Sequence, residues 1–223
     1  MCSEASSYPV EIYGWLCCDT IAHLSGKVSR NHPVKTLLFL QLNSAQLVET
    51  AAFLHYGISP WEIEVIYDTL SRCFEVEEKQ VSPDDPQYVS MVEIMFPVPY
   101  NEAFFQQELT VDSWYKMKGV IKNVKKRRGK KGIKAFIKFA GFGNNKKIGI
   151  VFPLQSKGDR QFEMGIEKIE YLVDILPVQL QLMPQGAEEI WYLYDETSYK
   201  WVPSVARTNH VNYIFKNNEW KTK

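Results

Sequence analysis

The chain has 223 residues, 26 basic and 26 acidic, and is 45% hydrophobic and 13% aromatic. That length suits one large domain or two small ones, and that apolar fraction excludes an intrinsically disordered chain. The balanced charge hides a segregation: residues 113–158 carry 14 Lys or Arg and no acid, leaving 26 − 14 = 12 bases against 26 acids elsewhere.

Such a split points to an acidic partner, most often nucleic acid. No apolar run approaches the roughly 18–20 residues of a membrane helix; the best, Thr36 to Leu42, is far too short. The start, Met1-Cys2-Ser3-Glu4, lacks the basic residues and apolar stretch of a signal peptide. A cytoplasmic protein with no membrane partner is therefore expected. Cys2, Cys17, Cys18 and Cys73 form no disulfide framework and read as reduced thiols.

Residues 1–80 read as a helical module. Asn43 and Ser44 can cap a helix running to about Tyr56, with Leu47, Ala51 and Leu54 on one face. Gly57 suits a left-handed helix end. Ser59 then serves as N-cap, Pro60 as the first helical residue and Glu62 as the closing member of a capping box. Ile63, Ile66, Tyr67, Leu70 and Phe74 continue at helical spacing. Residues 49–70 thus resemble a helix-turn-helix pair, with Gly57 in the turn. Two features oppose DNA reading by the second helix. Phe53 stands where such motifs place a small residue, and Glu62, Glu64 and Asp68 would repel phosphate.

Residues 81–88, with Pro83 and Pro86, read as a linker. Residues 89–223 read as a β-rich module. Its expected strands are Val89–Met95, Trp114–Val124, Ile133–Ala140, Lys147–Phe152, Val178–Met183, Ile190–Tyr194, Tyr199–Val202 and Val211–Phe215. Helices are expected at 101–110 and 166–175.

Alternation on both sides of Lys125-Lys126-Arg127-Arg128-Gly129-Lys130-Lys131-Gly132 predicts a β-hairpin with a cationic tip. Ile133, Ala135, Ile137 and Phe139 face one way, and Lys134, Phe136 and Lys138 the other. With a third strand after Gly141-Phe142-Gly143, the strand spacing resembles a small OB or SH3-like barrel. The fold class expected is α+β: a helical N-terminal part, then a mainly antiparallel β part. The nucleic-acid contact is assigned to Lys122, Lys125, Lys126, Arg127, Arg128, Lys130, Lys131 and Lys134, which would replace counterions on phosphates. Trp114, Tyr115, Phe136 and Phe142 are the stacking candidates. The competing explanations are a solvated loop, lysines guarding an edge strand, and pairing with the chain's own acids.

Catalysis finds little footing. There is no GxxxxGK[ST], GxGxxG or GxSxG motif, and the four histidines follow no HExxH pattern. The nearest approach to a metal-dependent nuclease is Asp84 with the distant Glu219 and Lys221. Ile190–Tyr194 and Tyr199–Val202 predict a hairpin with a four-residue turn and an aromatic ladder, read mainly as core. The function expected is non-enzymatic binding of RNA or DNA backbone, without cofactor or metal. The alternative is an adaptor whose acidic and basic patches meet a protein partner or a second copy; a nuclease ranks third.

Overall fold

Residues 49–129, 131–142, 148–180 and 182–223 are described by a computed structural model. They fall within one unit running from Ala45 to Lys223. The expected helix start at Asn43 and Ser44, and Cys2, Cys17 and Cys18, lie outside them.

The chain alternates strands and helices. Strand β1 (Thr50–Tyr56), helix α1 (Pro60–Ser71) and strand β2 (Glu75–Gln80) form the first unit. Strand β3 (Ser90–Tyr100), helices α2 (Glu102–Gln106) and α3 (Glu108–Arg128), and strand β4 (Ile133–Phe142) form the second. Strand β5 (Gly149–Leu154), helix α4 (Asp159–Glu167), a 3-10 turn (Glu170–Leu172), helix α5 (Leu176–Leu180) and strand β6 (Glu189–Asp195) form the third. Strands β7 (Lys200–Arg207), β8 (Asn212–Lys216) and β9 (Glu219–Thr222) complete the fold. In each of the three units the two strands lie parallel and adjacent, and every other pairing is antiparallel.

All nine strands join one sheet in the order β2-β1-β3-β4-β5-β6-β7-β8-β9. The α+β class therefore holds, as a mixed sheet with helices. The expected small barrel is replaced by an open sheet ending at β2 and β9. Segment 81–88 joins β2 to β3 inside that sheet.

The core face is set by period-2 alternation. Phe53, Ile94, Ile137 and Phe152 stand in one cross-strand row, each fully buried. α3 closes over it with Trp114, Met117, Ile121 and Val124, whose spacing is helical. Phe96, Tyr100, Phe104, Trp114 and Phe139 interlock there at ring distances of 4.8–6.5 Å. Burial of such rings supplies most of the driving force.

Three expected elements are corrected. Residues 50–56 are a strand, because Ala51, Phe53 and His55 are the buried alternate positions. The helix-turn-helix is therefore not formed. Residues 114–124 are helix, since Val120 and Ile121 are both buried, which alternation forbids. The basic hairpin thereby becomes a helix followed by a parallel strand. Residues 178–180 belong to α5 and not to a strand.

The start of α1 matches the sequence reading closely. Ser59 accepts from the Glu62 N–H, and Glu62 accepts from the Ser59 N–H at 2.5 Å. The four-residue turn between Asp195 and Lys200 is also present.

Candidate nucleic-acid interface

Helix α3 decides where the positive charge goes. Its inner bases meet acids from other elements. Lys118, nearly fully buried, donates to Glu167 at 2.6 Å and to Glu170 at 3.4 Å. Lys122 also donates to Glu167. Lys125, equally buried, donates to the Lys157 carbonyl at 2.8 Å and lies 3.8 Å from Asp159. Burial pushes the Lys125 ammonium below the ordinary lysine range, and Asp159 offsets this only in part.

Arg127 and Arg128 reach back to α1. Both guanidiniums donate to the carboxylate of Glu62, which is 0% exposed. Arg128 donates as well to the Gly57 carbonyl at 2.8 Å and to Ser90 Oγ at 2.9 Å. Two charge-assisted donors and a backbone N–H satisfy this buried anion, which would otherwise be costly. Beyond the helix, Lys134 pairs with Asp84, and Lys138 with Glu93 at 2.6 Å.

Of the eight residues assigned to the contact, five are thus internal partners: Lys122, Lys125, Arg127, Arg128 and Lys134. Lys126 and Lys131 are exposed and have no ion pair among the described residues. Lys130 lies outside the described residues. Arg127 is shared, since 48% of its side chain remains exposed.

On α3 itself the exposed lysines fall on one side. Lys116, Gly119, Asn123 and Lys126 follow at intervals of three and four along the outer face of α3, with Lys131 just past its end. Lys116, Gly119 and Trp61 are not among the expected contact residues; Trp61 is half exposed, with its ring 5.8 Å from the Arg127 guanidinium. The signal was available only as helical spacing, which the strand assignment discarded.

Of the stacking candidates, Tyr115 is exposed, with the Lys118 ammonium 4.5 Å from its ring. Trp114 is buried, and its indole N–H donates to Glu170 at 3.0 Å. Phe136 lies on the opposite face of the sheet, 6.0 Å from Trp191. Phe142 packs against the core.

Asp84 and Glu219 are not brought together. Asp84 binds Lys134 on β4, while Glu219 begins β9, five strand positions or about 24 Å across the sheet. Among the described residues no helix is long and apolar enough to cross a membrane.

The ion pairs make an acid prediction. Burial raises the Glu167 pKa, but hydrogen bonds from Lys118 and Lys122 more than reverse this, leaving it below its ordinary 4.5. A depressed carboxylate stabilises the fold above its unfolded value and loses that contribution as pH falls through its folded value. Urea midpoints of the parent should therefore drop faster below pH 4.5 than those of Glu167→Gln. Parallel curves would remove Glu167 from the account.

Comparison of the chain with protein-family models, with curated proteins and with solved structures finds no match.

Proposed function

We propose that the protein binds nucleic acid through the outer face of α3, contacting the phosphate backbone without reading sequence. The observation that carries this reading is the sorting of charge on one helix. Inner bases are neutralised by the chain's own acids, while Lys116, Lys126 and Lys131 stay exposed and unpaired among the described residues, with Arg127 half exposed beside them. Tyr115 and Trp61 are the exposed aromatic rings next to this line.

Gly119 adds independent support. Glycine inside a helix costs about 1 kcal/mol relative to alanine. A Cβ at Gly119 would meet nothing within 4 Å, so packing does not require the glycine. Close approach of an external backbone would.

Three lysines and one shared arginine can neutralise about four phosphates, giving a log–log salt slope near −3 to −4 on duplex DNA. Fluorescence anisotropy with single-stranded RNA, single-stranded DNA and duplex DNA over a salt series tests this. Lys116→Gln/Lys126→Gln/Lys131→Gln should flatten the slope by about 3. Gly119→Ala should raise thermal stability and weaken binding together. Binding unchanged in both variants, or absent from the parent at low salt, sinks the reading.

A further inference from the structure

Helices α1 and α4 flank α3, one on each side, and both run antiparallel to it. On one side Trp61 meets Arg127, and Cys73 Sγ lies 3.9 Å from Ser113 Oγ. On the other Asp159 meets Lys125, and Glu167 meets Lys118. Lys118 and Arg127 are about two and a half turns apart, so the two contacts fall on opposite sides of the helix.

Each flanking helix puts acid beside the middle of the basic line. Glu64 and Asp68 lie on α1 between its two contacts with α3; both are exposed and form no ion pair among the described residues. Glu163 lies on α4 between Asp159 and Glu167, also exposed and without such a pair. The bases of the same helices sit at the other corners. Arg72, next to Cys73, ends α1, and Arg160, next to Asp159, opens α4; both are exposed. They extend the line of Lys116 and Lys126 at its two ends, giving one oblique file of cations across three helices. Exposed Asp112, one turn before Lys116, stops the file from continuing along α3.

We infer, resting on the phosphate contact proposed above, that this file takes a single polynucleotide strand, RNA or DNA, in preference to a duplex. A duplex carries two backbones, separated by a groove about 6 or 12 Å wide. The axes of packed helices are about 8–10 Å apart. With one backbone on Lys116 and Lys126, the second falls over α1 or α4, where Glu64 and Asp68 or Glu163 repel it. A single strand brings one row of phosphates and meets only the file. It also offers base faces, which a duplex hides in its stack. Trp61, 53% exposed, stands on the α1 side of the file, and Tyr115, 57% exposed, on the α4 side. Such rings stack on unpaired bases.

Fluorescence anisotropy at fixed low salt, with single-stranded RNA, single-stranded DNA and duplex DNA of equal length, tests the inference. The parent should prefer the single strands at least about tenfold. Asp68→Asn/Glu163→Gln should narrow that preference at least about threefold by tightening the duplex, while melting like the parent, because both positions are exposed. Arg72→Gln and Arg160→Gln should each flatten the single-strand log–log salt slope by about 0.7. A parent that binds the duplex as tightly as the single strands would overturn this inference alone. So would a preference that the double variant leaves unchanged, or a slope that neither arginine variant moves. A parent that binds no form would overturn it together with the reading beneath it.

Discussion

Replacing Gly57 by alanine is expected to destabilise the fold by about 3–5 kcal/mol, roughly 10 °C in Tm for a unit of this size. Gly57 turns the chain from β1 into α1 with φ of +65°. Any other residue pays the left-handed penalty there, but the larger cost is steric. A Cβ would lie 2.1 Å from the Val89 carbonyl oxygen and 3.2 Å from the Ser90 Cα, backbone atoms at the entry to β3. The loop cannot easily retreat, because the Gly57 carbonyl accepts from Ser90 Oγ at 2.6 Å and from Arg128 at 2.8 Å. Gly129→Ala is the control. Its φ is +60°, yet nothing lies within 4 Å of the added methyl, so only about 1–2 kcal/mol should be lost. Denaturant midpoints of the two variants separate steric clash from backbone strain. Equal losses would show that the Val89 contact is easily relieved.

Glu62→Gln should cost about 2–4 kcal/mol, the second large effect. The substitution keeps the side-chain shape but removes the charge that both guanidiniums and the Ser59 N–H are aimed at. An amide can offer only one acceptor oxygen, so at least one donor loses its partner. Arg128 keeps its bonds to Gly57 and Ser90, which limits the damage. Arg127, already 48% exposed, is released toward solvent. Glu62→Gln should therefore lower the urea midpoint and, on the proposed nucleic-acid reading, tighten binding, because it frees a cation next to Lys126. A variant that loses stability and binding in parallel would place Arg127 outside the contact.

The contrast between these residues explains what could be read from the sequence. The Ser59, Pro60 and Glu62 signature was legible because capping is a local affair of four residues. The faces of β4 were legible too, since Ile133, Ala135, Ile137 and Phe139 alternate without interruption. The same rule failed on α3, where mixed Lys and apolar residues fit a two-residue and a 3.6-residue period about equally well over a short stretch. It failed in reverse on β1, where Ala51 and Leu54 mimic a helical face. The charge segregation was real, but its destination was not legible. Lys122 and Glu167 are 45 residues apart, Lys134 and Asp84 are 50, and Arg128 and Glu62 are 66. Only the fold brings these charges together, and it turns a cationic segment into a set of cross-braces with a narrower exposed line.

The strand order also bears on how the chain is made. Reading across the sheet, the order follows the chain apart from one inversion, β2 lying outside β1, yet the paired residues are far apart: Phe53 and Ile94 by 41 positions, Ser90 and Ile133 by 43. Pairings across such spans close long loops, so the sheet is expected to form slowly. During synthesis, β1, α1 and β2 can close before β3 has emerged, and each later unit finds a finished edge waiting for it. The distant ion pairs form afterwards, as Arg127 and Arg128 reach Glu62 and later Glu167 reaches Lys118. Growth in that order adds β8 and β9 after β7, and β9, held by β8 alone among the described strands, is an edge that frays early.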